Sequence, residues 1–138
     1  MAEVKISAQL PASAEAVWAI IGDFAALADW HPLVPNCRLG EDGVSRIISL
    51  RGVEVVEVLR PEESPPMGHT YTILSSPMPI TDYLATLQVV SEGDGARISY
   101  HGRFEPVGVS EEQAGGILRG FFETGFSALQ SRLDRGEA

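Results

Sequence analysis

Apolar and polar residues alternate at the start of the chain. Between positions 4 and 10, apolar residues occupy every second place, from Val4 to Leu10, and lysine, serine and glutamine occupy the places between them. A period of two predicts a β-strand with one buried face. Pro11 ends this strand, because proline has no backbone N–H to give to a neighbouring strand.

Two short helices are predicted next. Ser13 is placed to cap a first helix that runs to Ile21, since its hydroxyl can accept a hydrogen bond from a free N–H of the first turn. Asp23 can cap a second short helix over residues 24–29 in the same way. Pro32 stops that helix.

From residue 33 to residue 105 the pattern changes to short runs rich in valine, isoleucine, threonine, tyrosine and leucine. Turn signals separate these runs at residues 40–43, 51–52, 61–68, 76–79 and 92–95. This spacing predicts a meander of about six antiparallel strands. The segment EGDG at 92–95 gives the clearest hairpin signal of the series.

The end of the chain has the pattern of a long amphipathic helix over residues 111–134. Ser110 and Gln113 have the spacing of a capping box at its start. The helix would be about 36 Å long. Its predicted buried face comprises Ile117, Leu118, Phe121, Phe122, Gly125, Phe126, Ala128 and Leu129.

Four glycines, at positions 115, 116, 120 and 125, lie inside this predicted helix. Each costs about 1 kcal/mol relative to alanine in a helix interior. They either allow another part of the chain to approach closely or leave room for a ligand, and the sequence leaves both interpretations open.

The order of elements predicts an α+β fold. About seven antiparallel strands form a curved sheet around the long C-terminal helix, with two short helices after the first strand. We expect a single domain over residues 1–138. Because a sheet and one helix of this size cannot fill all the space between them, we also expect a cavity suited to an apolar ligand.

Composition excludes several function classes. The net charge of −9 argues against nucleic acid and against an anionic membrane surface, because both need a basic face. The acidity itself is read as a source of solubility. No run approaches the ~18 apolar residues of a membrane span, and the N-terminus has no signal-peptide pattern. With one cysteine, Cys37, no internal disulfide can form, and we expect a cytoplasmic protein.

Catalytic and cofactor motifs are missing from the sequence. We find no nucleophile elbow, phosphate-binding loop, dinucleotide fingerprint or zinc-protease motif. The spacing of His31, His69 and His101 matches no metal site. Cys37 is interpreted as a small packed residue. No cofactor and no metal are therefore expected.

Several segments together resemble a known family. The segment PASAEAVWAIIGDFAALADWHPLV, an acid at Glu57 followed by Leu59, and the strand SYHGRFEP resemble the polyketide cyclase/dehydrase-like branch of the START and birch-pollen-allergen (SRPBCC) superfamily. The resemblance covers nearly the whole chain and implies a helix-grip fold. It specifies no ligand or reaction, because the superfamily includes hormone receptors, lipid carriers, aromatase/cyclases and proteins of no known role.

Glu57 is the most informative polar residue. It shares one strand face with Val53, Val55 and Leu59, whereas Val56 and Val58 occupy the other face. If the first face lines the cavity, desolvation favours the neutral carboxyl unless an arginine or a hydrogen-bond donor such as Tyr100 compensates. The resemblance favours the inward orientation, since an acid here lines the pocket of the resembling hormone receptors.

Tyrosines follow the same alternation on later strands. Tyr100 shares a face with Ile98 and Phe104 that should meet the helix, while residues 97, 99, 101 and 103 face solvent. Tyr83 shares a face with Thr81, Ala85 and Leu87, and Tyr71 with Ile73 and Ser75. Both tyrosines are candidates for the cavity wall or for ordinary core positions.

Two loops are expected at the rim of the cavity. Trp30 and His31 lie where the short helices meet the first meander strand, and Met78 lies in the loop SSPMPI. His31 is either a polar gate or a helix-terminating residue bonded to nearby backbone. The complete set of predicted ligand-binding residues is Trp30, His31, Val55, Glu57, Tyr71, Met78, Tyr83, Tyr100, Phe104, Leu118, Phe121, Phe122 and Gly125.

Three functions remain open from the sequence. The favoured one is a noncatalytic binder of a hydrophobic small molecule, as a monomer or homodimer. The second is a cyclase- or dehydratase-like enzyme with Glu57, Tyr83 and Tyr100 as its acid/base groups. The third is a protein-interaction module, which would have a filled core and a broad exposed apolar patch.

Overall fold

The computed structural model describes residues 2–50 and 52–136. Its strands are β1 (Ala2–Leu10), β2 (Asn36–Leu39), β3 (Ser45–Leu50), β4 (Val53–Leu59), β5 (Gly68–Ser75), β6 (Ile80–Glu92) and β7 (Gly95–Pro106). Its helices are α1 (Ala14–Ile21), α2 (Leu27–Trp30) and α3 (Glu111–Asp134), with short 3₁₀ turns at Phe24–Ala26 and Pro61–Glu63.

The seven strands form one antiparallel sheet in the order β1-β7-β6-β5-β4-β3-β2. The meander therefore runs in sequence from β2 to β7, and β1 joins at the far edge by pairing with β7. The predicted architecture, a curved antiparallel sheet with short helices after the first strand and a long C-terminal helix, is confirmed.

Two β-bulges shape the sheet beside the cavity. Val56 pairs with Ser75 and Glu57 with Ile73, so Leu74 is the extra residue in β5. A second shift lies between Thr81 and Leu84 of β6. Bulges bend a strand and reorient its side chains. They move Ser75 and Thr81 off the inward faces predicted for them, and both residues are exposed.

The short helices begin where the sequence predicts. The Ser13 hydroxyl accepts from the Ala16 N–H, and the Asp23 carboxylate accepts from the Ala25 N–H. The second predicted helix is divided, because a 3₁₀ turn over Phe24–Ala26 precedes α2. The 3₁₀ turn and α2 together pack against β2.

Helix α3 packs across the sheet, chiefly against β1 and β7. The predicted capping box is present, with reciprocal hydrogen bonds between Ser110 and Gln113. The buried residues of α3 are Ala114, Leu118, Phe122, Gly125, Phe126, Leu129 and Leu133. The sequence also places Ile117 on this face, but the side chain is 48% exposed because the helix turns this position toward an opening.

Candidate functional site

A cavity of about 590 Å³ lies between the sheet and the N-terminal half of α3. Most of its lining is apolar, and Ile48, Val55, Leu87, Leu118 and Phe122 belong to the buried part of the wall. The cavity reaches the surface where its lining residues are exposed. We call this exposed part the mouth; it comprises Leu33, Val53, Pro77, Gly116, Ile117 and Gly120.

Five polar residues also line the cavity, and all five are buried. We call them the polar cluster; it comprises Arg46, Glu57, His69, Tyr71 and Tyr83. They come from strands β3 to β6. None is exposed at the mouth. The cavity thus combines an apolar, open side with a polar, closed one.

Arg46 and Glu57 form a buried ion pair at the centre of the polar cluster. They are direct cross-strand neighbours on β3 and β4. Glu57 Oε1 lies 2.8 Å from Arg46 Nε and 2.6 Å from Arg46 Nη2. Burial is the largest single influence and acts to lower the pKa of Arg46, but the charge of Glu57, its hydrogen bond and the neighbouring Tyr71 together outweigh burial and raise that pKa above its ordinary value. Arg46 therefore stays cationic.

Further contacts fix the guanidinium of Arg46. Its Nη1 donates to the Phe24 carbonyl at 2.8 Å. Its central carbon lies 3.9 Å from the centre of the Phe24 ring, which is a cation–π distance. A buried ion pair needs such additional contacts, because its Coulomb attraction alone often fails to offset the loss of hydration.

The two tyrosines of the cavity, Tyr71 and Tyr83, lie close to a third tyrosine, Tyr100, behind the wall. The hydroxyls of Tyr83 and Tyr100 lie 2.7 Å apart, and the Tyr71 and Tyr83 rings are 5.9 Å apart. Burial raises the pKa of all three phenols, and the charge of Glu57 adds to the effect. At neutral pH these hydroxyls keep their protons and act as hydrogen-bond donors.

His69 and Arg46 are cavity residues that the sequence analysis did not assign to the site. His69 Nε2 lies 2.9 Å from the Gly22 carbonyl, and its ring packs between Trp18 and Phe24. Burial lowers the pKa of His69, so the ring is neutral at pH 7 and Nε2–H donates to that carbonyl. The sequence pattern indicated the position of His69, because it shares one face of β5 with Tyr71 and Ile73.

His31 is a packing residue. The ring is 1% exposed, stacks on Phe121 at 3.9 Å and lies 2.7 Å from the Phe121 carbonyl through Nε2. Nδ1 accepts from the Leu33 N–H at 3.2 Å. Together these contacts require the neutral ring with its proton on Nε2. Burial lowers the pKa of His31, and the Arg46 cation acts in the same direction.

Nine of the thirteen predicted site residues line the cavity. They are Trp30, Val55, Glu57, Tyr71, Met78, Tyr83, Leu118, Phe121 and Phe122. Val53 lines the cavity as well, so the strand face that carries Glu57 is oriented inward. That these nine residues bind a ligand remains a prediction.

The other four predicted residues lie outside the lining. Tyr100 is stacked on Phe122 at 3.7 Å, and its hydroxyl fills the space left by the missing side chain of Gly102. Phe104 is 1% exposed and packs beneath the start of α3. His31 and Gly125 pack against each other: a Cβ at position 125 would lie 2.6 Å from His31 Cδ2. At Gly125 the glycine therefore serves close packing.

Other features predicted from the sequence lie outside the lining of the cavity. His101 faces solvent beside Glu3, with 3.3 Å between Nε2 and the carboxylate. Cys37 is half-buried, and burial raises the pKa of its thiol. Within residues 2–50 and 52–136, no group of three or more metal-ligating side chains comes together. No helix in the described part of the chain is long and apolar enough to cross a membrane.

Comparison with known proteins identifies the family. A model of the family "Polyketide cyclase / dehydrase and lipid transport" matches residues 1–134. The chain belongs to this family. No curated protein matches the sequence.

Solved structures of similar proteins share this fold. The protein XoxI from Bacillus cereus is 34% identical, with a TM-score of 0.89 and all of both chains covered. A START superfamily protein from Mycobacterium smegmatis is 18% identical, with a TM-score of 0.77 over 98% of this chain and 99% of the other.

A two-domain structure shares the fold as well. BexL, a di-domain aromatase/cyclase of the BE-7585A biosynthetic pathway, is 16% identical with a TM-score of 0.75. The match covers 97% of this chain and 47% of BexL. At this identity, the similarity shows a common fold and carries no activity from one protein to the other.

Proposed function

We propose that this member of the family binds an apolar small molecule in the cavity between the sheet and α3. The observation that carries the proposal is the division of the cavity into an apolar open side and a buried polar cluster. Ligand sites of proteins have this character: a mostly apolar concavity of about 300–1,000 Å³ with a few polar groups that orient the ligand.

The polar cluster favours binding over catalysis. Oε1 of Glu57 is held by Arg46, and the raised pKa values keep the phenols protonated. Of the acid/base set expected for an enzyme, Glu57 and Tyr83 line the cavity, but Tyr100 lies behind the wall. A general base has to be free to take a proton near neutral pH. The cluster is better suited to donate fixed hydrogen bonds.

The cavity also favours a small ligand over a protein partner. An interaction module would keep a filled core and place its apolar surface outside. Here the open space lies inside the fold, and its wall residues Ile48, Val55 and Tyr71 are almost fully buried. A partner protein could not reach them without opening the sheet.

A fluorescent apolar dye tests the proposal. N-phenyl-1-naphthylamine should bind the native protein saturably, at about one equivalent. Val55→Phe places a ring in the cavity and should weaken binding at least about tenfold, or ~1.4 kcal/mol. Val56→Phe is the matched control, because its side chain lies on the opposite face of β4, and it should bind within about twofold of wild type.

Two outcomes contradict the proposal: no saturable binding, or equal binding by Val55→Phe. Circular dichroism establishes that each variant is folded. If Val55→Phe does not fold, Leu87→Phe fills the cavity from β6 instead. Native mass spectrometry of the protein purified from its own host then identifies any molecule that co-purifies.

A further inference from the structure

The two carboxylate oxygens of Glu57 have different surroundings. Oε1 takes both contacts from Arg46. Among the described residues, no side chain or backbone group donates a hydrogen bond to Oε2. In the same part of the chain, no fully buried side-chain oxygen or nitrogen lacks a partner. Since the Glu57 side chain is 9% exposed and lines the cavity, Oε2 must be reachable from the cavity.

The charge of the cluster is already balanced. Arg46 and Glu57 cancel, and His69 is neutral at pH 7 because burial lowers its pKa. A carboxylate ligand would therefore meet no free cation and would approach the open oxygen of Glu57. Like charges at short range in a poorly hydrated site repel strongly. A purely apolar ligand would cover Oε2 without giving it a hydrogen bond, and burying an unpaired carboxylate oxygen is costly.

A hydroxyl group on the ligand avoids both of these unfavourable outcomes. It can donate one hydrogen bond to Oε2 and accept another from a phenol. Tyr71 is such a donor in the cluster, and its ring centre lies 5.0 Å from the central carbon of the Arg46 guanidinium that holds Glu57. Its hydroxyl keeps its proton at neutral pH.

We propose that the cavity selects apolar ligands that carry an uncharged hydroxyl group, which donates to Glu57 Oε2 and accepts from Tyr71. This inference rests on the proposed binding function and adds the chemical class of the ligand. It predicts discrimination against anionic ligands such as fatty acids, although an arginine lies in the wall of the cavity.

Three naphthalene compounds of similar size test this selection by displacing the bound dye at pH 7. We expect 2-naphthol to displace the dye at a concentration about tenfold lower than naphthalene does. We expect 2-naphthoate to be at least about tenfold weaker than 2-naphthol. Stronger binding of 2-naphthoate, or equal binding of all three, would overturn the inference. If none of the three displaces the bound dye, this inference fails, whereas the proposed function is contradicted only by the absence of saturable dye binding or by equal binding of Val55→Phe.

Glu57→Gln sharpens the test, because it keeps the shape of the side chain and leaves the Arg46 cation unmatched. We expect the order to reverse, so that 2-naphthoate binds more tightly than 2-naphthol. An unchanged order would show that Glu57 does not contact the ligand. If this variant does not fold, the double variant R46M/E57Q removes both charges. It should bind naphthalene and 2-naphthol within about threefold of each other, and a retained preference for 2-naphthol would also overturn the inference.

Discussion

Two stretches of α3, around Gly125 and around Gly116 and Gly120, use glycine in opposite ways. At Gly125 the helix is crowded: an added Cβ would lie 2.6 Å from His31 and 3.1 Å from Trp30. At Gly116 and Gly120 the same added atom would meet no described atom within 4 Å outside the helix's own backbone. One stretch of the helix is pressed onto the short helices. The other stretch stands over the cavity.

This contrast explains how one helix can both hold the fold together and leave space for a ligand. His31 bonds to the Phe121 carbonyl and packs on Gly125, which fixes α3 at its middle. Beyond that point Phe126, Leu129 and Leu133 bury the helix in the core. Before it, Gly116 and Gly120 keep side chains away from the mouth. The tight packing of one stretch therefore supports the opening under the other.

The largest expected effect on stability comes from placing a charge on the buried side of the N-terminal half of α3. Leu118→Asp should lower the free energy of unfolding by about 4 kcal/mol, because the carboxylate would be buried without a partner. Its neighbour Ile117 provides the control: this side chain is 48% exposed, and Ile117→Asp should cost less than about 1 kcal/mol. Urea unfolding followed by circular dichroism measures both. Equal stabilities would show that Leu118 is not buried.

The second prediction concerns the crowded glycine. Gly125→Ala should cost about 2 kcal/mol, because overpacking against His31 outweighs the better helix propensity of alanine. In a His31→Ala background the closest obstacle is gone, and the same substitution should cost at least about 1 kcal/mol less. The double-mutant cycle gives the coupling between the two positions. A coupling near zero would show that the contact is not close.

The sequence was sufficient for the architecture because each element carries its own local signal. Alternation defined β1 and β7, and the caps at Ser13 and Ser110 marked the helix starts that the structure confirms. Alternation also placed Val55 and Glu57 on one face without further information. These signals act over a few residues and need no knowledge of the rest of the fold.

The contents of the site were harder to predict, because they depend on pairs that are distant in sequence. The register of the β3–β4 hairpin pairs Leu50 with Val53, and counting outward pairs Arg46 with Glu57. A two-residue turn at residues 51–52 predicts that pairing, but Arg46 was not assigned to the site. The role of Gly125 could not be foreseen, because its neighbour His31 lies more than ninety positions away and approaches only in the folded chain.

The third prediction is a loss of stability in mild acid. The pKa values of His31 and His69 are lowered in the folded protein, by burial first and by the Arg46 cation as well. The unfolded chain takes up protons below about pH 6.5 while the folded chain does not, so stability is complete above that pH and falls below it. The slope should approach about 1.4 kcal/mol per pH unit for each histidine.

Urea unfolding between pH 7.5 and pH 5.5 measures this slope. His69→Gln should reduce it by the contribution of one proton. Asp42 and Glu92 also have lowered pKa values, but carboxylates titrate at lower pH and contribute outside this window. A slope of zero in the wild type would mean that neither histidine is held neutral by the fold.

The smallest expected effect is a gain in stability, and it tests the part of α3 that lies over the cavity. Gly120→Ala should raise the free energy of unfolding by up to about 1 kcal/mol, because alanine is the better helix former and nothing described crowds its methyl group. The same substitution at Gly125 should have the opposite sign, so the pair compares two positions of one helix under one chemical change. Dye binding by Gly120→Ala should stay within about threefold of wild type, since one methyl group at the mouth leaves the polar cluster untouched. A loss of stability at position 120 would mean that the space beneath this part of α3 is already filled.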